Sequence, residues 1–229
     1  MSHTKWKLPE PQVDYRNFRL NQINKPEYKH LWLLLFWPIY YLRYPFIEAL
    51  NTPDRCFPVS SWLDGLIPFH ESFFIAYQLW MVCLLGMALY TALYDVESFR
   101  KYHKFLIISF SISTLIYLVF PTSQNLRPTE FERDNLLTRL VQMMYQVDTN
   151  TNVCPSEHVI GSMAFLAAAI NTKRLRTPWR LTVIAVLAVL ISISTLFLKQ
   201  HSVVDVIAAL PLSAFVYWIC YRKKKQIQS

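Results

Sequence analysis

The chain has 229 residues, 53% of them hydrophobic, with 15 Phe, 13 Tyr and 7 Trp against only 3 Gly, and it carries a formal net charge of +8. That profile is wrong for an ordinary soluble domain, because the apolar residues are gathered into blocks long enough to cross a hydrocarbon layer rather than spaced as amphipathic stripes. The positive charge is split between short segments flanking those blocks, a distribution that argues against nucleic acid as its partner.

In chain order, residues 1–30 are polar and mixed in charge, with no short apolar core ahead of a small-residue cleavage site, so no signal peptide is read there. Apolar blocks follow near 31–50, 70–94, 104–121, 158–171, 179–198 and 202–221. Each approaches the ~20 residues that a spanning helix needs. The expectation is an all-α, integral membrane protein of six transmembrane helices over residues 31–221, with a cytoplasmic segment before it and a basic tail, 222–229, after it. The fourth block, "HVIGSMAFLAAAIN", is short, so its ends are expected to reach into the flanking loops. Between the third and fourth blocks, "DNLLTRLVQMMYQ" places apolar residues at 136, 137, 140, 141 and 144, the pattern of a helix lying along the interface.

Lys and Arg gather before the first block, between the second and third, after the fourth and at the end of the chain. With six spans those segments share one side, leaving Arg55, Arg127, Arg133, Arg139 and Lys199 opposite and Arg43 inside the first span. By the positive-inside rule both termini are cytoplasmic. The four cysteines form no C-x-x-C pair; Cys56 and Cys154 would both lie outside, where a disulfide is chemically allowed.

Three polar clusters end apolar blocks on the sparsely charged side: "FPTSQNLRPTE" from Phe120, "CPSEH" from Cys154 and "STLFLKQHSVVDV" from Ser194. Singly each has an ordinary explanation, as a headgroup anchor, a helix cap or a snorkelling lysine. Together they put two histidines, a carboxylate and several phosphate-binding groups at one depth. His201 and Asp205 are four apart, so on a helix the carboxylate can hold one imidazole nitrogen while the other meets a substrate. An Asp in an apolar span is costly and implies a partner. Such a set supports phosphoryl transfer: one histidine attacks phosphorus, a second protonates the leaving oxygen, and Arg127, Lys199, Ser156 and helix-start amides bind phosphate oxygens. The scheme requires no metal and no cofactor.

These residues resemble the type 2 phosphatidic acid phosphatases (PAP2), membrane lipid phosphatases related to vanadium haloperoxidases. Arg127-Pro128 is similar to the end of the family's first motif, Lys-x6-Arg-Pro. "PSEH" is similar to the second, Pro-Ser-Gly-His, and Ser194-x6-His201-x3-Asp205 to the third, Ser-Arg-x5-His-x3-Asp. The likeness covers about residues 62–220 and implies a six-helix bundle. It further implies His201 as the nucleophile that becomes phosphohistidine, Asp205 as its partner and His158 as general acid, with Arg127, Ser156 and Ser194 around the phosphate. Three positions depart from the pattern: Phe120 and Thr195 stand where the family has cations, and Glu157 where it has glycine. Lys199 is the expected replacement for one lost charge. Glu157 is expected to hold His158 protonated or to accept a hydrogen bond from a headgroup hydroxyl.

The reading is a lipid phosphatase acting on a lipid phosphate or diphosphate ester at the extracytoplasmic face. The reduced motif set also resembles the inositol phosphorylceramide and sphingomyelin synthases, which implies transfer of a phosphoryl headgroup to an acceptor alcohol as the alternative. A transporter is the non-enzymatic reading, disfavoured because the His and Asp residues sit at helix ends rather than mid-span. Haem ligation by His158 and His201, or a metal held with Glu157 and Asp205, would show in absorption or on chelation.

Overall fold

The computed structural model describes residues 10–222. Seven α-helices carry the chain: α1 Phe36–Leu50, α2 Phe73–Tyr94, α3 Val96–Val119, α4 Leu136–Val147, α5 Glu157–Asn171, α6 Pro178–Phe197 and α7 Val203–Tyr221. Two dipeptide strands, β1 Phe57–Pro58 and β2 Thr122–Ser123, pair in parallel.

Among the described residues four helices, α2, α3, α6 and α7, are long and apolar enough to cross a membrane, so four of the six expected spans meet that measure. The other two apolar blocks are helical but short. At 15 residues each, α1 and α5 rise only about 22 Å against a hydrocarbon core of ~30 Å. The first block loses its leading turn to a 3-10 helix, Lys29–Leu35, before Phe36. The fourth begins one residue earlier than its apolar run, at Glu157, but stops at Asn171 and does not continue into the basic loop.

Local chemistry sets the boundaries. A single residue, Asp95, separates α2 from α3, and its carboxylate accepts from the Ser98 amide at 2.9 Å, so α3 starts well before its apolar run. Asn135 caps α4 through the Thr138 amide at 3.0 Å, and Pro178 opens α6. α5 is the core helix: Gly161, Ser162, Ala164 and Ala167 to Ala169 are all buried, and these small residues let α2, α3, α6 and α7 approach its backbone closely. Larger side chains, Trp80, Leu84, Tyr102, Phe105, Phe110 and Phe165, fill the space around it. Residues such as Leu85, Leu89, Leu115, Val186, Ile207 and Leu210 are exposed on the outer faces, the inverse of a water-soluble bundle.

The two ends of the bundle differ. At one end the polar N-terminal segment packs against the α2–α3 turn, with the Tyr15 hydroxyl donating to Ala92 O at 2.9 Å, and Arg174 lies over the Tyr94 ring. The starts of α5 and α7, the β pair and α4 lie at the other. Of the basic tail, only Arg222 falls within the described residues.

Candidate functional site

The site is built on the first turn of α7. Ser202 accepts from the Val204 amide at 3.2 Å, and the Asp205 carboxylate accepts from the Ser202 amide at 2.8 Å, a reciprocal cap that fixes both side chains. The same Asp205 oxygen lies 3.3 Å from His201 Nδ1, which leaves His201 Nε2 free to face the cavity that His201 lines. The turn is anchored from outside by Asp64, whose carboxylate accepts from Ser202 Oγ at 2.7 Å and from the Val203 amide at 2.8 Å. A carboxylate at a helix start is stabilised by unpaired amides and by the helix dipole. The pattern Ser61-x-x-Asp64 is legible as a capping box, and Asp64 does cap its own short helix. What the sequence hides is that it also clamps α7.

The start of α5 abuts that turn. The Ser156 amide donates to the Asp205 backbone carbonyl at 3.1 Å, and Ser156 caps α5 through the Val159 amide. His158 follows, its ring centroid 5.7 Å from that of His201. Tyr77 and Trp80 of α2 pack against the His158 ring at 4.3 and 4.4 Å between centroids, which restricts its orientation. Trp80 gets this close to α5 only because residue 161 is glycine: a Cβ there would meet Trp80 Nε1 at 2.5 Å.

The expected phosphate ligands separate into two groups. Ser156 lies beside Asp205, as above. Arg127 is not among the cavity-lining residues: its guanidinium donates to Tyr145 O at 3.0 Å, to Asp148 O and Gln200 Oε1 at 2.5 Å, and lies over the Tyr145 ring. Burial pushes its pKa below the ordinary arginine value, with Asp148 opposing. Ser194 is fully buried and donates to Ile191 O at 2.6 Å. Lys199 is not on the cavity, so its expected part as the replacement cation does not fit this geometry. It occupies the left-handed residue of the α6–α7 turn, φ 52°, a position that usually takes glycine. Its ammonium donates to Asp64 O at 2.8 Å and to Ile67 O, and burial pushes its pKa down. The departed positions are also outside the cavity: Phe120 stacks on Phe57, and the Thr195 hydroxyl donates to Ser192 O at 2.8 Å.

Glu157 has a partner that sequence spacing could not reveal. Arg43, from α1, reaches its two carboxylate oxygens at 2.6 and 2.9 Å, and the Tyr40 hydroxyl donates to it as well. Glu157 is thus bonded to α1 rather than to His158. An arginine inside an apolar block is itself a signal for a buried partner, and that signal was the only one Arg43 offered.

His158, His201, Glu157 and Arg43 border one cavity of about 660 Å3. Leu140, Met143, Met144 and Val147 of α4 form one wall, with Ile47, Tyr41 and Tyr44 of α1 facing them. Thus α4 is the amphipathic helix expected from its spacing, with Val141 buried against Tyr77 and Leu198 and with Leu136 and Val147 largely exposed. Cys56 and Cys154 are free thiols. Burial and the neighbouring Asp205 push the Cys154 thiol up to about 12. Among the described residues no cluster of three or more His, Cys, Asp or Glu is placed to hold a metal ion.

The profile of the PAP2 superfamily matches residues 104–228. The chain belongs to the PAP2 superfamily. Searches of curated proteins and of solved structures return no match. PAP2 proteins are generally phosphoric ester hydrolases, and membership points to phosphatase-like chemistry on lipid phosphates. The matched segment contains all three polar clusters but neither Asp64 nor Arg43, the two residues by which the first part of the chain reaches the site.

Proposed function

We propose that this PAP2 protein hydrolyses a lipid phosphate ester through a phosphohistidine on His201. The observation that carries the reading is the pairing of His201 Nδ1 with Asp205, with a second imidazole, His158, 5.7 Å away across the floor of a largely apolar cavity. His201 Nε2 attacks phosphorus and the N–P bond forms as the P–O bond to the leaving alcohol breaks. His158 gives its proton to that alcohol. Asp205 stabilises the positive charge that develops on His201. Water then attacks phosphorus, returns a proton to His158 and releases His201 as the N–P bond breaks. The restricted ring of His158 suits a proton carrier that acts twice on one line of approach.

The basic residues at the start of α3 and between α5 and α6, at the end remote from His201, support an extracytoplasmic site with cytoplasmic termini. Transfer to an acceptor alcohol is the second reading, and one observation favours it. The cavity wall bears Glu48, Thr149, Thr151 and Asn152, a polar patch that could seat a hydroxylated acceptor.

The deciding experiment gives purified protein phosphate-labelled lipids with and without inositol, diacylglycerol or ceramide. Hydrolysis releases free phosphate from a monoester, or headgroup phosphate from a diester, without any acceptor. Label that moves only into a new phosphodiester would establish transfer instead. Acid-labile label retained on wild-type protein and absent from His201→Ala identifies the nucleophile.

A further inference from the structure

The charges around the cavity specify the kind of phosphate ester it fits, an inference that rests on the reading above for the position of the phosphate. Arg43 is the one Lys or Arg among the cavity-lining residues, whereas Glu48, Asp148 and Glu157 all border it. Glu48 is served by neutral donors, the Thr149 and Thr151 hydroxyls and the Asn152 amide, the last two at 2.9 and 2.7 Å. Asp148 is served by the Tyr77 hydroxyl and by Gln200 Nε2 at 2.9 Å, and Arg127, off the cavity behind Gln200, offsets its charge. Arg43 is matched by Glu157. With Arg127 offsetting Asp148 and Arg43 offsetting Glu157, Glu48 is left with neutral donors alone, so an incoming anion meets a net excess of carboxylate.

A phosphate monoester carries about −1.5 to −2 near neutral pH, and a diester has no second ionisation. Each added negative charge in a partly buried, carboxylate-lined cavity costs on the order of ten-fold or more in affinity. Arg43 has capacity to spare: Nη1 donates to Thr114 Oγ1, Nη2 to Glu157, and Nε is buried without a partner. We infer that the cavity takes lipids whose phosphate is a diester bearing a single charge, and that Arg43, drawn from Glu157, is the side chain that meets it. The apolar wall of α4 then lies along the lipid, and the hydroxyl and amide groups around Glu48 lie toward the headgroup.

The test measures binding rather than turnover, by calorimetry on the His201→Ala protein in detergent. The probes are dihexanoyl phosphatidylglycerol, dihexanoyl phosphatidate and deacylated glycerophosphoglycerol, all at mildly alkaline pH. The expected result is a diester lipid bound at least about ten-fold tighter than the monoester, with the deacylated diester weaker than either. Glu157→Gln, which keeps a hydrogen-bonding group beside Arg43 but removes the charge, should bring the monoester to within about three-fold of the diester. Arg43→Gln should weaken the diester about ten-fold; if that variant does not fold, Arg43→Lys should fall between. Monoester bound as tightly as diester, a ratio unmoved by Glu157→Gln, or deacylated diester bound as well as the lipid would each overturn the inference. The two readings fail separately. Diester preference in a wild-type chain that never labels His201 removes the hydrolase, whereas labelled His201 with monoester preference removes this selectivity.

Discussion

At the scale of single residues, the three polar clusters were visible in the sequence because helical spacing and motif order are local properties. His201 and Asp205 needed only an i, i+4 relation and meet at 3.3 Å. His158→Gln should slow formation of the phosphorylated intermediate by about 10²- to 10⁴-fold, the usual range for losing a general acid, without lowering the protein's melting temperature. Rapid-quench measurement of the adduct would check it. Lys199 should behave differently. If its ammonium serves the Asp64 and Ile67 carbonyls, Lys199→Met leaves them unsatisfied and costs about 1–3 kcal/mol of stability. A thermal shift with little change in KM is the expected signature; a raised KM at unchanged stability would return Lys199 to the phosphate. Cys154 offers a pH test. Its thiol, pushed up to about 12, should hold on the order of 10³-fold less thiolate at pH 8 than an ordinary cysteine. In a protein lacking Cys56, Cys83 and Cys220, its alkylation rate should still be climbing above pH 10, whereas an exposed thiol levels off near pH 9. Arg43 and Asp64 were not legible as site residues, because each acts on a partner more than 110 residues away in the chain, at Glu157 and Ser202.

At the scale of elements, apolar blocks fixed the helices but not their lengths. The sequence shows where hydrocarbon-loving residues start and stop, while caps and neighbours decide which of them join the helix. Asp95 extends α3 into a polar turn, and the 3-10 segment takes residues from α1. For α5, the length of the apolar run shows only a short span, whereas its small residues make it the axle of the bundle. The contact between α2 and α5 gives the sharpest test. Gly161→Ala sets a methyl group against the Trp80 indole, so Trp80 must withdraw from His158. Overpacking of this kind costs about 1–3 kcal/mol. The stronger expectation is a fall in kcat that the double variant Gly161→Ala, Trp80→Phe partly restores by making room. No restoration would show that the ring placement of Trp80 does not govern His158.

At the scale of the whole molecule, the expected orientation can be checked at the two ends of the bundle. Thr129 and Arg176 are both exposed and lie on segments of opposite expected side. In a chain without native cysteines, Thr129→Cys should react with an impermeant maleimide in intact cells and Arg176→Cys should react only after lysis. The reverse pattern would turn the site toward the cytoplasm. The cavity, with its methionine-rich wall and polar floor, carries a consequence for the direction of the reaction. Under the proposed hydrolysis, cleavage there would yield an alcohol that belongs to the oil phase and a phosphate that belongs to water, and the two would leave by different media. Their recombination is then limited by partition rather than by the chemical step. Inhibition by the lipid product should accordingly track its mole fraction in the bilayer and be indifferent to the volume of the surrounding solution.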